Sequence, residues 1–105
     1  MDGCGVGGNK SQAIAAYSNY SKWVNKTGRP IHFEVSDFGA FAPWEWAGAI
    51  ANSWRMSGDH GPNWPSTKEI INTSAYIPRE FSGREFAWND MDMLQTGNVC
   101  RFTGA

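Results

Sequence analysis

Helical and strand-like patterns take turns along this sequence, and that alternation predicts an α/β protein built on a parallel sheet. Two observations carry the prediction. The apolar residues of 11–25 recur at helical spacing, and 31–35 alternates apolar with polar side chains. The same pair of patterns then returns twice further along. No repeat, low-complexity tract or linker interrupts the 105 residues, so one small domain at most is expected.

Residues 11–25 place Ile14, Tyr17, Tyr20 and Val24 on one helical face beside Ala13 and Ala16. Gly28 is a stop signal, and Arg29-Pro30 forces extension into a strand at 31–35. Pro43 opens a short helix through Ala51 that aligns Trp44, Ala47 and Ile50. A short strand is expected at 53–56. Ser66-Thr67-Lys68-Glu69 reads as a capping box, starting a helix that Pro78 ends. A last strand is expected at 86–89, and the pattern after Gly97 is unreadable.

Composition narrows the function. Net charge is −1, from 9 basic and 10 acidic side chains without long runs of either sign, which argues against nucleic-acid and membrane-surface partners. No apolar stretch is long enough to span a bilayer, and no basic segment followed by an apolar run opens the sequence. Leu94 is the only leucine, while 6 Trp, 6 Phe and 3 Tyr supply the bulk. Large flat rings can build a core, and they also line sugar clefts.

Gly3-Cys4-Gly5-Val6-Gly7-Gly8 satisfies a dinucleotide-loop pattern, yet only Met1 and Asp2 precede it and no acidic residue follows at the usual distance. A flexible loop after a strand is the better reading. Cys4 and Cys100 form no metal-ligand set, and His32 and His60 stand isolated, so no metal site is expected. Four Asn-x-Ser/Thr sequons, at Asn9, Asn19, Asn25 and Asn72, tilt the reading towards the secretory pathway.

Asp2, Asp37, Asp59 and the pair Asp90 and Asp92 each fall at or just after the end of an expected strand. A single such carboxylate is usually a solvated surface group. A succession of them at the same end of successive parallel strands occupies the position where barrel enzymes place their chemistry. Carboxylates among aromatic rings, with no serine triad and no metal cluster, suit glycoside hydrolysis. That reaction needs one carboxylate to attack and one carboxylic acid to protonate the leaving oxygen.

Asp2-Gly3-Cys4, Thr27-Gly28-Arg29-Pro30-Ile31, Pro43-Trp44-Glu45-Trp46, Asn52-Ser53-Trp54-Arg55 with Gly58-Asp59, and Trp88-Asn89-Asp90-Met91-Asp92-Met93-Leu94 with Gly97-Asn98 form an ordered set. In order and spacing it resembles the consecutive blocks of the melibiases, glycoside hydrolase family 27, over nearly the whole chain. The resemblance implies a partial (β/α)8 TIM barrel, from the end of strand 4 to just past strand 7. It also implies the retaining hydrolysis of terminal α-galactosides without a cofactor. Asp2 matches the nucleophile and Asp59 the general acid/base. Asp37 matches the position that reads the sugar's 2-substituent, and Phe38 stands where a Trp wall is usual. Arg55 matches the arginine at the 2-position and the catalytic aspartate. Asp92 and Met93 match the pocket floor, and Cys4 a cysteine at its edge. A retaining pair should stand ~5–5.5 Å apart, and two like charges that close cannot both ionise freely.

The chain departs from the family pattern in a paired way. Ser36-Asp37-Phe38 replaces the usual Cys-Glu-Trp, and Ala51 stands where the partner cysteine would be. Asp for Glu shortens the reach to the 2-hydroxyl by one methylene, which brings β-L-arabinopyranosides into consideration, with α-N-acetylgalactosaminides ranked below. A complete barrel takes roughly 250 residues. The expectation is therefore an internal stretch of a longer melibiase, secreted or vacuolar/lysosomal and inactive as 105 residues alone. The rival reading is a non-catalytic carbohydrate binder stacking sugars on Trp44, Trp46, Trp54, Trp64 and Trp88, of which Trp54 and Trp88 are the better candidates for core.

Overall fold

The computed structural model describes residues 1–6 and 8–93, so Leu94, Gly97, Asn98 and Cys100 lie outside the described residues. Helix α1 spans Lys10–Lys26. Asn9 begins it, its side chain accepting from the Gln12 N–H at 3.0 Å and so satisfying one of the donors a helix start leaves open. Gly28, at φ 66°, ends the chain's helical course, as its lack of a Cβ allows. One face of α1 buries Ala13 and Tyr17, and Tyr20, expected on that face, is 39% exposed.

Three strands follow: β1 (Glu34–Val35), β2 (Ser53–Arg55) and β3 (Trp88–Asp90). They are parallel and lie in the order β1-β2-β3, Glu34 opposite Ser53 and Ser53 opposite Trp88. Met1 and Asp2 extend the ladder on the free side of β1. The Met1 amino group donates to the Glu34 carbonyl at 2.8 Å, the Ser36 N–H donates to the Met1 carbonyl at 3.0 Å, and Asp2 bridges Ser36 in parallel. Among the described residues no helix is long and apolar enough to cross a membrane.

Alternation along the strands divides the sheet into two unlike faces. Phe33, Val35 and Trp54 are buried against Tyr17 of α1, with Ala47 and Ala87 completing the cluster. Met56, on the same parity, packs on Ile70 of helix α2 (Trp64–Tyr76) and on Ile77. Burying a large apolar side chain is worth about 1.5–3 kcal/mol, so these contacts hold both helices to one face. The other face is polar: the Ser53 hydroxyl donates to Glu34 Oε2 at 2.8 Å, and the Ser36 hydroxyl donates to Asp2 Oδ1 at 3.0 Å.

Four expectations need correction. The strand at 31–35 is reduced to Glu34 and Val35, because the Phe33 N–H is taken by the Asn52 side chain at 2.8 Å. The helix expected from Pro43 to Ala51 is two separate 3₁₀ turns, Pro43–Glu45 and Ala47–Ala49, hinged at Trp46 with φ −131°. The Ser66 capping box is not used. Asn63 caps α2, accepting from the Ser66 N–H at 3.0 Å, and the helix begins two residues before Ser66, with Pro65 in its first turn. Trp88 is no core residue: it is 53% exposed, whereas Trp54 is 1% exposed.

Candidate active site

Of the sequence-predicted residues, Phe38, Asp59 and Asp92 gather around Arg55 at the carboxyl end of the strands. Arg55 is the last residue of β2, and its side chain is 10% exposed. Its Nη2 lies 3.1 Å from each of three oxygens: Asp59 Oδ1, Asp92 Oδ2 and the Gly58 carbonyl. The Phe38 ring sits beneath the guanidinium, 5.9 Å from its carbon, within reach of a cation–π attraction. Among the described residues, Arg55 Nε is buried without a hydrogen-bond partner.

Asp92 reaches this cluster through a turn. The Asp90 carboxylate accepts from the Asp92 N–H at 3.0 Å, and Asp92 adopts φ 61°, a left-handed conformation that Asp tolerates better than most residues. Its Oδ2 also accepts from the His60 N–H at 2.7 Å. Burial pushes the Asp92 carboxyl up. The N–H groups of His60 and Met93 and the Arg55 charge outweigh that push and hold it below the usual carboxylate range. For Asp90, burial first and then the charge and hydrogen bond of Glu34 act the other way, and its carboxyl is raised.

Asp2 stands on the far side of β1 from Arg55, at the same strand end, exposed and tied to the Ser36 hydroxyl. Asp59 follows β2 on a loop, its side chain 75% exposed. The two proposed catalytic carboxylates thus flank the end of β1, on the polar side of the sheet.

Asp37 behaves differently. It is 8% exposed, and among the described residues neither of its carboxylate oxygens has a partner in hydrogen-bond geometry. Burial raises its pKa to about 6, against the opposing pull of the Gly39 N–H and its own. Burial, with the Asp37 and Asp2 charges after it, also pushes the Tyr17 phenol above its ordinary range. The Tyr17 hydroxyl donates to the Ser36 carbonyl at 2.9 Å, which fastens the end of β1 from the helix side.

The loop after β1 is pressed against the loop after β2. Gly39 has φ 79°, and a Cβ there would stand 2.4 Å from the Met56 carbonyl oxygen. Phe38 carries φ 59° and is 47% exposed beside the site. Cys4 is exposed, and no contact among the described residues joins it to the Arg55 cluster; Met93 is 72% exposed, and its N–H helps to hold the Asp92 carboxylate of that cluster.

Sequence reasoning missed three members of the site. Ser36 appeared only as a departure from a pattern, His60 as an isolated histidine, and Asp90 as one of a row of carboxylates. The parity of Ser36 with Glu34 was the available signal for the first. The others are placed by contacts between distant segments, Asp92 to His60 across 32 residues, and no local pattern carries those.

The sequence profile of the family described as "Alpha galactosidase A" matches residues 1–103. Alpha-galactosidase A of Cellvibrio japonicus is 33% identical over 93 residues, 80% of this chain and 23% of that protein. Alpha-galactosidase 2 of Arabidopsis thaliana is 41% identical over 82 residues, 78% of this chain and 20% of that protein. The crystal structure of alpha-galactosidase I from Mortierella vinacea superposes with a TM-score of 0.76 at 30% identity, over 91% of this chain and 29% of that one. The chain thus spans between a fifth and a third of the length of these relatives. With a profile match over nearly every residue, and the parallel α/β arrangement shared with a solved relative, the chain belongs to the melibiase family, glycoside hydrolase family 27.

Proposed function

We propose that this chain supplies one arc of a (β/α)8 barrel that removes terminal α-D-galactosyl residues with retention of configuration, Asp2 acting as nucleophile and Asp59 as acid/base. The observation that carries the reading is the gathering of Asp59 and Asp92 on one arginine nitrogen at the carboxyl end of parallel strands, with Asp2 at the same end. Helices packed on one face of a parallel sheet suit a barrel arc, and strand-end carboxylates suit barrel chemistry.

In the first step the Asp2 carboxylate attacks the anomeric carbon while Asp59 gives its proton to the departing glycosidic oxygen. The glycosyl–Asp2 ester forms as the glycosidic bond breaks. In the second step Asp59 takes a proton from water, and the water oxygen displaces Asp2, which restores the Asp2 carboxylate and the Asp59 carboxylic acid. Arg55 grips Asp59 through Oδ1 and Asp92 through Oδ2, which orients the acid/base.

The test is hydrolysis of an aryl α-galactoside by the complete protein that carries this chain, with the product anomer followed by NMR. Asp2→Asn and Asp59→Asn should each abolish most turnover while leaving galactose binding intact. Unchanged turnover in both variants would reject the assignment, and sugar binding without turnover in the unaltered protein would favour a carbohydrate binder.

One observation favours a sister specificity. The residue at the 2-position site is Asp37, shorter than Glu by a methylene, and the neighbouring wall is Phe38. A β-L-arabinopyranoside shares the ring stereochemistry of galactose and lacks its hydroxymethyl group. Comparing kcat/KM on the two aryl glycosides and on the α-N-acetylgalactosaminide ranks the three activities. The four sequon asparagines, Asn9, Asn19, Asn25 and Asn72, are all exposed, which supports a secreted or vacuolar/lysosomal location.

A further inference from the structure

Asp59 stands on the loop between β2 and α2, and its carboxylate is largely in solvent. A group so exposed depends on its backbone for its position. That backbone is anchored one residue later. His60 is 8% exposed, its N–H donates to Asp92 Oδ2 at 2.7 Å, and its ring Nε2 lies 2.9 Å from Thr67 Oγ1 in α2. The Thr67 hydroxyl donates its own proton to the Asn63 carbonyl at 3.1 Å. It must therefore accept from the ring, so His60 Nε2 carries a hydrogen.

The rest of the loop is fastened to the same helix. The Gly61 N–H donates to Ser66 Oγ at 2.8 Å, and Asn63 caps the helix start. The peptide following Asp59 is thus fixed on one side to Asp92, two residues past the end of β3, and on the other to the first turn of α2.

We propose that His60 is a positioning residue for the proposed acid/base, its ring bond to Thr67 and its main-chain bond to Asp92 together setting where the Asp59 carboxylate meets the glycosidic oxygen. The inference rests on the reading of Asp59 as acid/base. A displaced acid should matter most where the leaving group needs protonation. A dinitrophenolate departs almost unaided, whereas methoxide requires the proton.

The experiment measures kcat/KM, which reports the bond-breaking step, on dinitrophenyl and methyl α-galactosides with the complete enzyme. His60→Leu should lose ~10–100-fold on the methyl substrate, within the 10²–10⁴-fold range of general acid catalysis, and only a few-fold on the dinitrophenyl one. Thr67→Val, which keeps the shape of the residue, should show the same selective loss. His60→Gln, whose amide nitrogen can donate where Nε2 does, should recover most of it. Equal losses on both substrates, or none, in correctly folded His60→Leu and Thr67→Val would overturn the proposal. Asp59→Ala is the control. A selective loss there without one at His60 rejects only the role of His60, and no selective loss there rejects the acid/base assignment and the inference with it.

Discussion

Arg55 and Asp92 meet at 3.1 Å with side chains only 10% and 13% exposed, so this ion pair is largely withdrawn from water. Removing one partner of such a pair costs more than the pair itself contributes, because the other charge stays buried. Asp92→Ala should therefore destabilise the chain by about 2–3 kcal/mol, moderated by the Asp59 and Gly58 oxygens that Arg55 retains. Asp92→Asn should cost less, since Asn tolerates φ 61° and can still accept from the His60 N–H. Urea denaturation of both variants checks the order, and an Asn variant as unstable as the Ala one would contradict it.

The two aspartates should leave opposite marks on the pH dependence of stability. The Asp92 carboxyl lies lower in the folded chain than its unfolded value of 3.8, so its contribution is present above pH 3.8 and is lost as pH falls below it. The Asp37 carboxyl lies higher, at about 6, so the folded chain holds that proton more tightly. Stability should fall as pH rises from about 4 through 6, by at most about 3 kcal/mol for a shift of this size. Asp37→Asn should flatten that fall. Thermal melts between pH 4 and 7 show the difference, and an unchanged profile in the variant would assign the fall to another group.

Gly39→Ala should be among the most damaging single-methyl changes in the chain. The added carbon would meet the Met56 carbonyl oxygen at 2.4 Å, and φ 79° is strained for any residue with a Cβ. Backbone cannot step aside as a flexible side chain can, so a loss of about 2 kcal/mol or more is expected. Gly28→Ala serves as the comparison. It also has positive φ, but its Cβ would meet nothing within 4 Å, so only the backbone term remains.

Tyr17→Phe isolates one hydrogen bond. The ring is fully buried and can stay in place, while the Ser36 carbonyl loses a donor at 2.9 Å. The cost should be about 1–2 kcal/mol. In the complete enzyme a small fall in turnover should accompany it, because Ser36 also holds Asp2. Chemical denaturation measures the first effect and aryl galactoside hydrolysis the second.

Local pattern alone told much about the elements. Helical spacing located α1 to within a residue at each end, the turn residues between segments separated the strands, and the alternation of patterns implied a parallel sheet. These features depend on neighbours a few residues apart, which any reading of periodicity captures. The misjudged elements are those where a distant partner competes. Asn52 takes the N–H that would have lengthened β1, and Asn63 takes the capping role from Ser66.

The same division runs through the site. The residue types, their strand-end positions and the family blocks are all present in the linear sequence, so Asp2, Asp59, Arg55 and Asp92 could be named from it. Which oxygens share the Arg55 nitrogen, that Asp37 is buried, and that His60 ties the Asp59 loop to α2 and Asp92 were decided only by the tertiary structure. The physical reason is that hydrogen bonds and desolvation act between groups brought together by the packing of the sheet and its helices, across up to 37 residues from Arg55 to Asp92. Sequence spacing carries no record of those distances.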